Sequence, residues 1–427
     1  MEINRVSGLR GEIIPPPDKS ISHRAVMFAS LAQGKSIVRN FLRAEDPLST
    51  MKAFACLGIG TSEEAGGDIV INGQGLHGLK EPFGVIDCGN SGTTVRLLSG
   101  ILAGSPFFSA LTGDDSLKQR PMARVITPLK TMGAVIAGRA SDKYLPIAIT
   151  GKKLRPIHYT MPVASAQVKS CLILAGLYAD GTSTLTEPFK SRDHTERMLA
   201  AAGAAITVDG LTVSIQGGPA LSPFDITIPA DFSSAAFFMA AALMVPNSAI
   251  LIRNVGMNPT RTGLLDVIRE MGGSVALQNT REISGEPVAD IYCAYTGGLK
   301  AVKIAKEAVT SLIDEFPILC VLATQAEGVT EIRGAEELRV KESDRIKAMA
   351  TELGKLGVEV QEYPDGIAIR GKSAMKGCAV ESYDDHRIAM SMAVAGLVAE
   401  GTTTVNRASC VDISFPGFFG KLKRLHK

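Results

Sequence analysis

An apolar helix end, a Gly or Asn turn and an alternating strand recur six times along the chain: FASLAQGKSIVRN, LLSGILAGSPFFSALTG, LILAGLYADGTSTLTEP, MAAALMVPNSAILIRN, VLATQAEGVTEIRG and AVAGLVAEGTTTVNR. Successive turns are roughly 70 to 80 residues apart, longer than a solenoid repeat and close to the size of a small αβ unit. A second phrase falls between these copies: MKAFACLGI, LKTMGAVI, MLAAAGAAITV, LLDVIREMGGSV and MATELGKLGVEV. Each ends a helix on glycine and starts a strand. Every unit therefore reads strand, helix, strand, helix. Six such units in 427 residues predict an α/β protein of two pseudo-symmetric halves, three units in each. The HK that follows GKLKRL reads as the frayed end of a last helix.

The repeat also carries charge. After the strand of five of the six copies comes a basic segment: RNFLR, KQRPMAR, KSRDHTER, RTGLLDVIR and RVKESDRIK. Equivalent positions of pseudo-symmetric units lie around a common axis, so these cations and the helix amino ends beside them are expected to face one space. Unpaired N–H groups and the macrodipole make a helix start attractive to anions. Phosphate or carboxylate is the ligand such a space would take.

Composition narrows the partners. The chain is 45% hydrophobic and 21% charged with a formal net charge of +2, the balance of a buried globular protein and not of a general polyanion binder. Seven scattered cysteines, none spaced as CxxC, fit reduced thiols in a cytoplasmic protein. The start MEINRVSGLRGEIIPPPDKS lacks the features of a signal or transit peptide, and no uncharged apolar run reaches membrane-spanning length. Neither a nucleic acid nor a membrane is expected as a partner.

Several familiar chemistries find no motif. The GxGxxG at Gly73–Gly78 is followed by LKEP, and Pro82 forbids the helix that a dinucleotide fingerprint needs, so it reads as a loop. No P-loop occurs, and the six histidines show no zinc-like pairing. Asp384 and Asp385, beside His386 and Arg387, read as partners of that arginine.

Other stretches suit anions. In DKSISHR three preceding prolines make a stiff entry, placing Lys19, Ser20 and Arg24 at a helix start suited to phosphate, although an ordinary cap with exposed basic residues explains the segment equally well. DCGNSGTTVR places Asn90, Ser91 and Gly92 before another helix, and PVASAQVKS does the same with Ser165 and Gln167. Taken alone, each is better explained as a cap. In ELRVKESDRI, read as a helix, Lys341 and Arg345 project together with Glu342 beside them. A solvated face pairing Glu337 with Lys341 is the bland alternative, and the matching position of QRPMAR and SRDHTER in their repeats weighs against it.

PPPDKSISHR, DCGNSGTTVR, GDDSLKQRPM, SRDHTERML, ELRVKESDR and DDHRIAM, in this order and over essentially the whole chain, resemble the 5-enolpyruvylshikimate-3-phosphate synthase family. The resemblance implies a two-domain enolpyruvyl transferase fold, an inside-out α/β barrel with three βαβαββ units per domain. Residues 1–16 and 236–427 would form one discontinuous domain and 17–235 the other, with the active site in the cleft between them. It implies transfer of the enolpyruvyl group of phosphoenolpyruvate to the 5-hydroxyl of shikimate 3-phosphate, in a monomer needing no metal or organic cofactor. By similarity, Lys19, Ser20, Arg24, Ser165, Ala166, Gln167, Arg192, Asp314 and Lys341 contact shikimate 3-phosphate. Lys19, Asn90, Gly92, Arg120, Gln167, Lys341, Arg345 and Arg387 form the phosphoenolpyruvate side, with His386 nearby. Of the adjacent Asp314 and Glu315, the resemblance selects Asp314 to take the hydroxyl proton, and either Glu342 or Lys341 to protonate the methylene.

Two departures stand out. Ser165-Ala166-Gln167 replaces Ser-Ser-Gln, which removes one hydroxyl and places the chain nearer the second class of the family, where Arg192 would compensate. DISFPGFF lacks the lysine that first-class members carry before Thr-Phe-Pro. Gly92 leaves room beside phosphoenolpyruvate, so inhibition by glyphosate is expected. The alternatives are a UDP-N-acetylglucosamine enolpyruvyl transferase and a non-catalytic module binding anions or RNA ends. GDDSLKQRPM has arginine where the first would carry a reactive loop cysteine, and the small basic excess disfavours the second.

Overall fold

The alternating segments pair, among residues 1–426 described by the computed structural model, into six small sheets, five of four strands and one of three. One unit shows the scheme. Ile86–Asp87 lies parallel to Phe108–Thr112, which pairs antiparallel with Tyr144–Thr150, which pairs antiparallel with Val135–Gly138. The helix Gly92–Gly104 makes the crossover that a parallel pair requires, and Ala123–Thr131 links the second strand to the third, giving βαβαββ. The other four-stranded sheets repeat this order of one parallel and two antiparallel pairings. In the three-stranded sheet the amino-terminal Glu2–Asn4 closes against Thr402–Asn406, itself parallel to Ala379–Glu381.

The chain divides into two units, Pro17–Ile228 and, together, Met1–Pro16 with Pro229 onward. Each holds three of the sheets. The expected boundary at 235/236 falls inside the helix Phe232–Met244, so the division lies seven residues earlier, at Ile228/Pro229. The reason is local: Asp231 accepts from the Ser233 amide and starts an unbroken apolar helix that cannot be shared between two cores. The last helix is Phe418–Arg424; of the two residues expected to fray after it, His426 is instead held by a β-bridge to Leu9 and by its amide donating to the Lys423 carbonyl at 3.2 Å, and Lys427 lies outside the described residues.

At the centre of each unit sit three helices that are buried almost all round. They are Lys19–Leu31, Gly92–Gly104 and Ala166–Gly176 in one unit, and Phe232–Met244, Phe316–Ala323 and His386–Gly396 in the other. A helix hydrophobic on every face must be buried, and all thirteen residues of Phe232–Met244 are. Gly100 shows how closely two of them approach, since a Cβ there would lie 2.1 Å from the Cys171 carbonyl oxygen. The outer helices are amphipathic and stop at Gly58, Gly133, Gly203, Gly272 and Gly357, with φ between +79° and +98°. These are the five stops read from the second sequence phrase. Among the described residues no helix is long and apolar enough to cross a membrane.

Candidate active site

In the unit Pro17–Ile228 the three central helices begin on polar caps. Asp18 accepts from the Ile21 amide at 2.8 Å, Ser91 from Thr94 at 3.1 Å and Ser165 from Val168 at 3.4 Å. The predicted anion-binding residues therefore do stand at helix starts. Lys19 opens its helix with Nζ 3.0 Å from Asp46 Oδ2, a carboxylate in the first turn of the helix Glu45–Cys56. Ser20 and Arg24 are linked within that helix, Arg24 Nη1 donating to the Ser20 carbonyl at 3.0 Å. Arg24 is buried and also donates through Nε to Thr195 Oγ1 at 2.7 Å and through Nη2 to Ser170 Oγ at 2.9 Å. It braces three helices. His23, beside it and fully buried, bonds through Nδ1 to Thr50 Oγ1 at 2.6 Å. Burial, then the charges of Lys19 and Arg24, hold its pKa well below the ordinary histidine value, so it stays neutral.

A second group gathers around the Gly92–Gly104 helix start. Arg120 Nη2 donates to Asn90 Oδ1 at 2.6 Å and to Ser116 Oγ at 3.3 Å, while Asn90 Nδ2 donates to Asp114 Oδ2 at 2.6 Å. Arg96, one helical turn after Gly92, donates through Nη1 to Gln167 Oε1 and through Nη2 to the Pro121 carbonyl at 3.3 Å. Gln167 Nε2 reaches Thr93 Oγ1 at 3.2 Å. A Cβ at Gly92 would lie 2.9 Å from Arg96 Nη1 and 3.4 Å from Arg120 Nη1, so the glycine sits directly against two guanidinium groups. Asn90, Gly92, Arg120 and Gln167 are thus brought together, and Arg96 joins them. Ser165 and Ala166 are half-buried at the start of the third central helix, and Arg192 is half-buried just ahead of the helix His194–Ala201.

In the other unit Arg345 is the hub. Only 1% exposed, it donates through Nε to Asp385 Oδ2 at 2.9 Å, through Nη2 to Glu342 Oε2 at 2.7 Å and through Nη1 to Asp314 Oδ1 at 3.3 Å. Arg387 Nη1 donates to the Asp314 carbonyl at 2.9 Å, and its Nη2 lies 3.4 Å from Asp314 Oδ2. Asp314 therefore stands between two arginines. Its neighbour Glu315 is buried and accepts from Ser233 Oγ instead, which separates the two carboxylates that the bare sequence left open. Burial opposes ionisation of Asp385, but Arg345 more than offsets it and holds the carboxyl below its ordinary range. The same three carboxylates raise the pKa of Arg345 against the effect of its burial.

Two expectations are corrected here. ELRVKESDRI is not one helix. A short turn of helix over Glu336–Val340 ends at Lys341, which is extended at φ −84° and ψ −152°, and a new helix starts at Arg345 because Asp344 accepts from the Lys347 amide. Lys341 and Glu342 are thereby released from helical spacing, and Glu342 folds back onto Arg345. Burial pushes the Lys341 ammonium below its ordinary value, with Arg345 adding to the shift and Asp314, Glu342 and Glu337 opposing it. The second correction concerns Asp384 and Asp385. Asp385 caps the helix of His386 and Arg387 through the Arg387 amide, yet its side chain pairs with Arg345, while Asp384 pairs with Arg407 at 2.5 Å. His386 is buried as the first residue of that helix.

Sequence reasoning missed Arg96, Asp46 and Lys169. Arg96 and Lys169 each follow a capped helix start inside an apolar run, and a lone cation in such a run is the signal that was available.

The architecture has a solved counterpart in the enolpyruvyl transferase NikO from Streptomyces tendae, with a TM-score of 0.79 over 99% of this chain and 96% of that one at 17% identity. That likeness establishes the enolpyruvyl transferase fold. The family model for EPSP synthase (3-phosphoshikimate 1-carboxyvinyltransferase) matches residues 3–422, and the chain belongs to this family of transferases. The 3-phosphoshikimate 1-carboxyvinyltransferase of Thermodesulfovibrio yellowstonii is 56% identical over 426 residues, covering 100% of this chain and 99% of the relative. The structure of EPSP synthase from Acinetobacter baumannii is 43% identical with a TM-score of 0.87, covering 100% of this chain and 98% of that one.

Proposed function

We propose that the chain transfers the enolpyruvyl group of phosphoenolpyruvate to the 5-hydroxyl of shikimate 3-phosphate, releasing inorganic phosphate. The observation that carries the proposal is the family match over residues 3–422 of a chain whose buried and half-buried cations gather near capped helix starts in both units. The reactants bring two phosphates and two carboxylates, whose repulsion and lost hydration must be offset by positive groups.

In this reading Lys19, Ser20, Arg24, Ser165, Ala166, Gln167 and Arg192 take shikimate 3-phosphate, with Asp314 and Lys341 on its hydroxyl side. Lys19, Asn90, Gly92, Arg120, Gln167, Arg345, His386 and Arg387 take phosphoenolpyruvate. Arg345 and Arg387 orient Asp314 to act as a base. Asp314 accepts the 5-hydroxyl proton as that oxygen bonds to the central carbon of phosphoenolpyruvate, and Lys341 or Glu342 gives a proton to the methylene. The resulting ketal phosphate collapses when its methyl loses a proton and the phosphate oxygen departs. The lowered pKa of Lys341 makes its ammonium a stronger acid than an exposed lysine, which favours the proton transfer. The enzyme works as a cytoplasmic monomer, without metal, organic cofactor, nucleic acid or membrane.

The test is phosphate release on wild type and Lys19→Ala, with phosphoenolpyruvate plus shikimate 3-phosphate or plus UDP-N-acetylglucosamine. Release with shikimate 3-phosphate, lost in Lys19→Ala, is expected; release only with the UDP-sugar overturns the assignment.

A further inference from the structure

The segment before the helix His194–Ala201 carries Arg192 and is held in an unusual way. Every polar group of Ser191 is engaged by one buried ion pair. Its amide donates to Glu187 Oε1 at 3.4 Å, its hydroxyl donates to Glu187 Oε2, and its carbonyl accepts from Lys169 Nζ at 3.2 Å. Lys169 Nζ also donates to Glu187 Oε1 at 2.6 Å and lies 2.7 Å from Glu196 Oε1, so its three protons have three acceptors. Lys169, Glu187, Ser191 and Glu196 are all at least 96% buried.

One residue along from this cluster on each helix, a second contact joins the same two helices. Ser170 Oγ and Thr195 Oγ1 are 2.6 Å apart, and both accept from Arg24. The ammonium of Lys169 and the guanidinium of Arg24 thus grip one helix pair side by side. Burying two carboxylates and an ammonium is costly compared with apolar packing, and gains little stability by itself. What it provides is a fixed position for Ser191, and through the next peptide for Arg192.

We propose that Lys169, with Glu187, is a positioning residue for the shikimate 3-phosphate subsite, setting where Arg192 stands relative to Arg24 and so the preference for a phosphorylated over an unphosphorylated substrate. This rests on the functional reading above. Lys169 touches no reactant; it acts through Ser191.

The experiment compares wild type, Lys169→Met, Glu187→Gln and Ser191→Ala by melting temperature, by KM for each substrate, and by the ratio of kcat/KM for shikimate 3-phosphate over shikimate. In Lys169→Met and Glu187→Gln, KM for shikimate 3-phosphate is expected to rise roughly 10-fold or more, since small misplacements of a binding group cost on that scale. KM for phosphoenolpyruvate stays near the wild-type value and the ratio falls. Ser191→Ala keeps the backbone contacts and shows a smaller change in the same direction. Should Lys169→Met not fold, Glu187→Gln and Ser191→Ala decide the matter. Folded variants with lowered melting temperature but unchanged KM and unchanged ratio reduce Lys169 to packing and overturn the proposal. A wild type that consumes neither substrate overturns the functional reading itself, and this inference with it.

Discussion

Gly92→Ala separates the folding role of a glycine from its role beside a ligand. Gly92 is the first residue of a helix and does not have positive φ, so alanine is permitted there by the backbone. Replacing a helical glycine by alanine is favourable by roughly 0.5–1 kcal/mol on backbone grounds. Against this, the new methyl would lie 2.9 Å from Arg96 Nη1. Reaching ordinary contact requires the guanidinium to retreat by roughly half an ångström. Arg96 is not free to do so, because Nη1 is bonded to Gln167 Oε1 at 2.5 Å and Nη2 to the Pro121 carbonyl. A hydrogen bond from a charged donor contributes about 1.5–3 kcal/mol. Losing half of it corresponds to roughly a 4- to 12-fold weakening of whatever the pair orders. Because that bond is already made in the folded chain, its weakening roughly cancels the backbone gain, so the variant should keep a melting temperature near or slightly below that of wild type while KM for phosphoenolpyruvate rises by that factor at saturating shikimate 3-phosphate. Phosphate release against phosphoenolpyruvate concentration, with calorimetry on the same preparation, gives both quantities. An unchanged KM, or a fall in melting temperature that accounts for the lost activity, would refute the claim that Arg96 and Gly92 shape this subsite.

Four further outcomes follow from the same geometry. Glyphosate should inhibit wild type in competition with phosphoenolpyruvate and inhibit Gly92→Ala less; undiminished wild-type turnover at high glyphosate with limiting phosphoenolpyruvate counts against it. Asp314→Asn should fold and lose about 10²–10⁴-fold in kcat, the usual scale for a general base, and near-normal turnover removes Asp314 from proton transfer. Arg345→Met leaves the buried Asp385 and the half-buried Glu342 without their cation, while Asp314 keeps Arg387, and should cost roughly 3–5 kcal/mol in chemical denaturation; a loss under about 1 kcal/mol would show that the Arg345–Asp385 pair is not buried as described. Lys341 has a lowered folded pKa, so between that value and the ordinary lysine value the unfolded chain binds more protons and stability rises with pH. Lys341→Met should flatten this rise in a series of melting curves, and an unchanged slope contradicts the shift.

Much of this was legible in the sequence because it depends on local rules. The glycine helix stops, the capped starts at Asp18, Ser91 and Ser165, and the sixfold alternation all rest on neighbouring residues, and each appears where its pattern places it. What failed depends on caps that were not read or on distant partners. Lys341 and Arg345 look like helical neighbours until Asp344 is seen to restart the helix between them. Asp385 looks like the partner of Arg387, but Arg345, forty residues away, competes for it and wins. Lys169 and Arg96 read as isolated cations in apolar helices because Glu187 and Gln167 arrive from other elements. The division at Ile228/Pro229 was missed by seven residues because no change in composition marks it, only the cap at Asp231.

The most direct measurement of the central claim is phosphorus NMR of the wild-type chain with phosphoenolpyruvate, recorded with and without shikimate 3-phosphate. The account predicts that the inorganic phosphate signal grows as the phosphoenolpyruvate signal falls, in equal amounts, only when shikimate 3-phosphate is present. Phosphate released without it, or both reactant signals persisting together, would contradict the account.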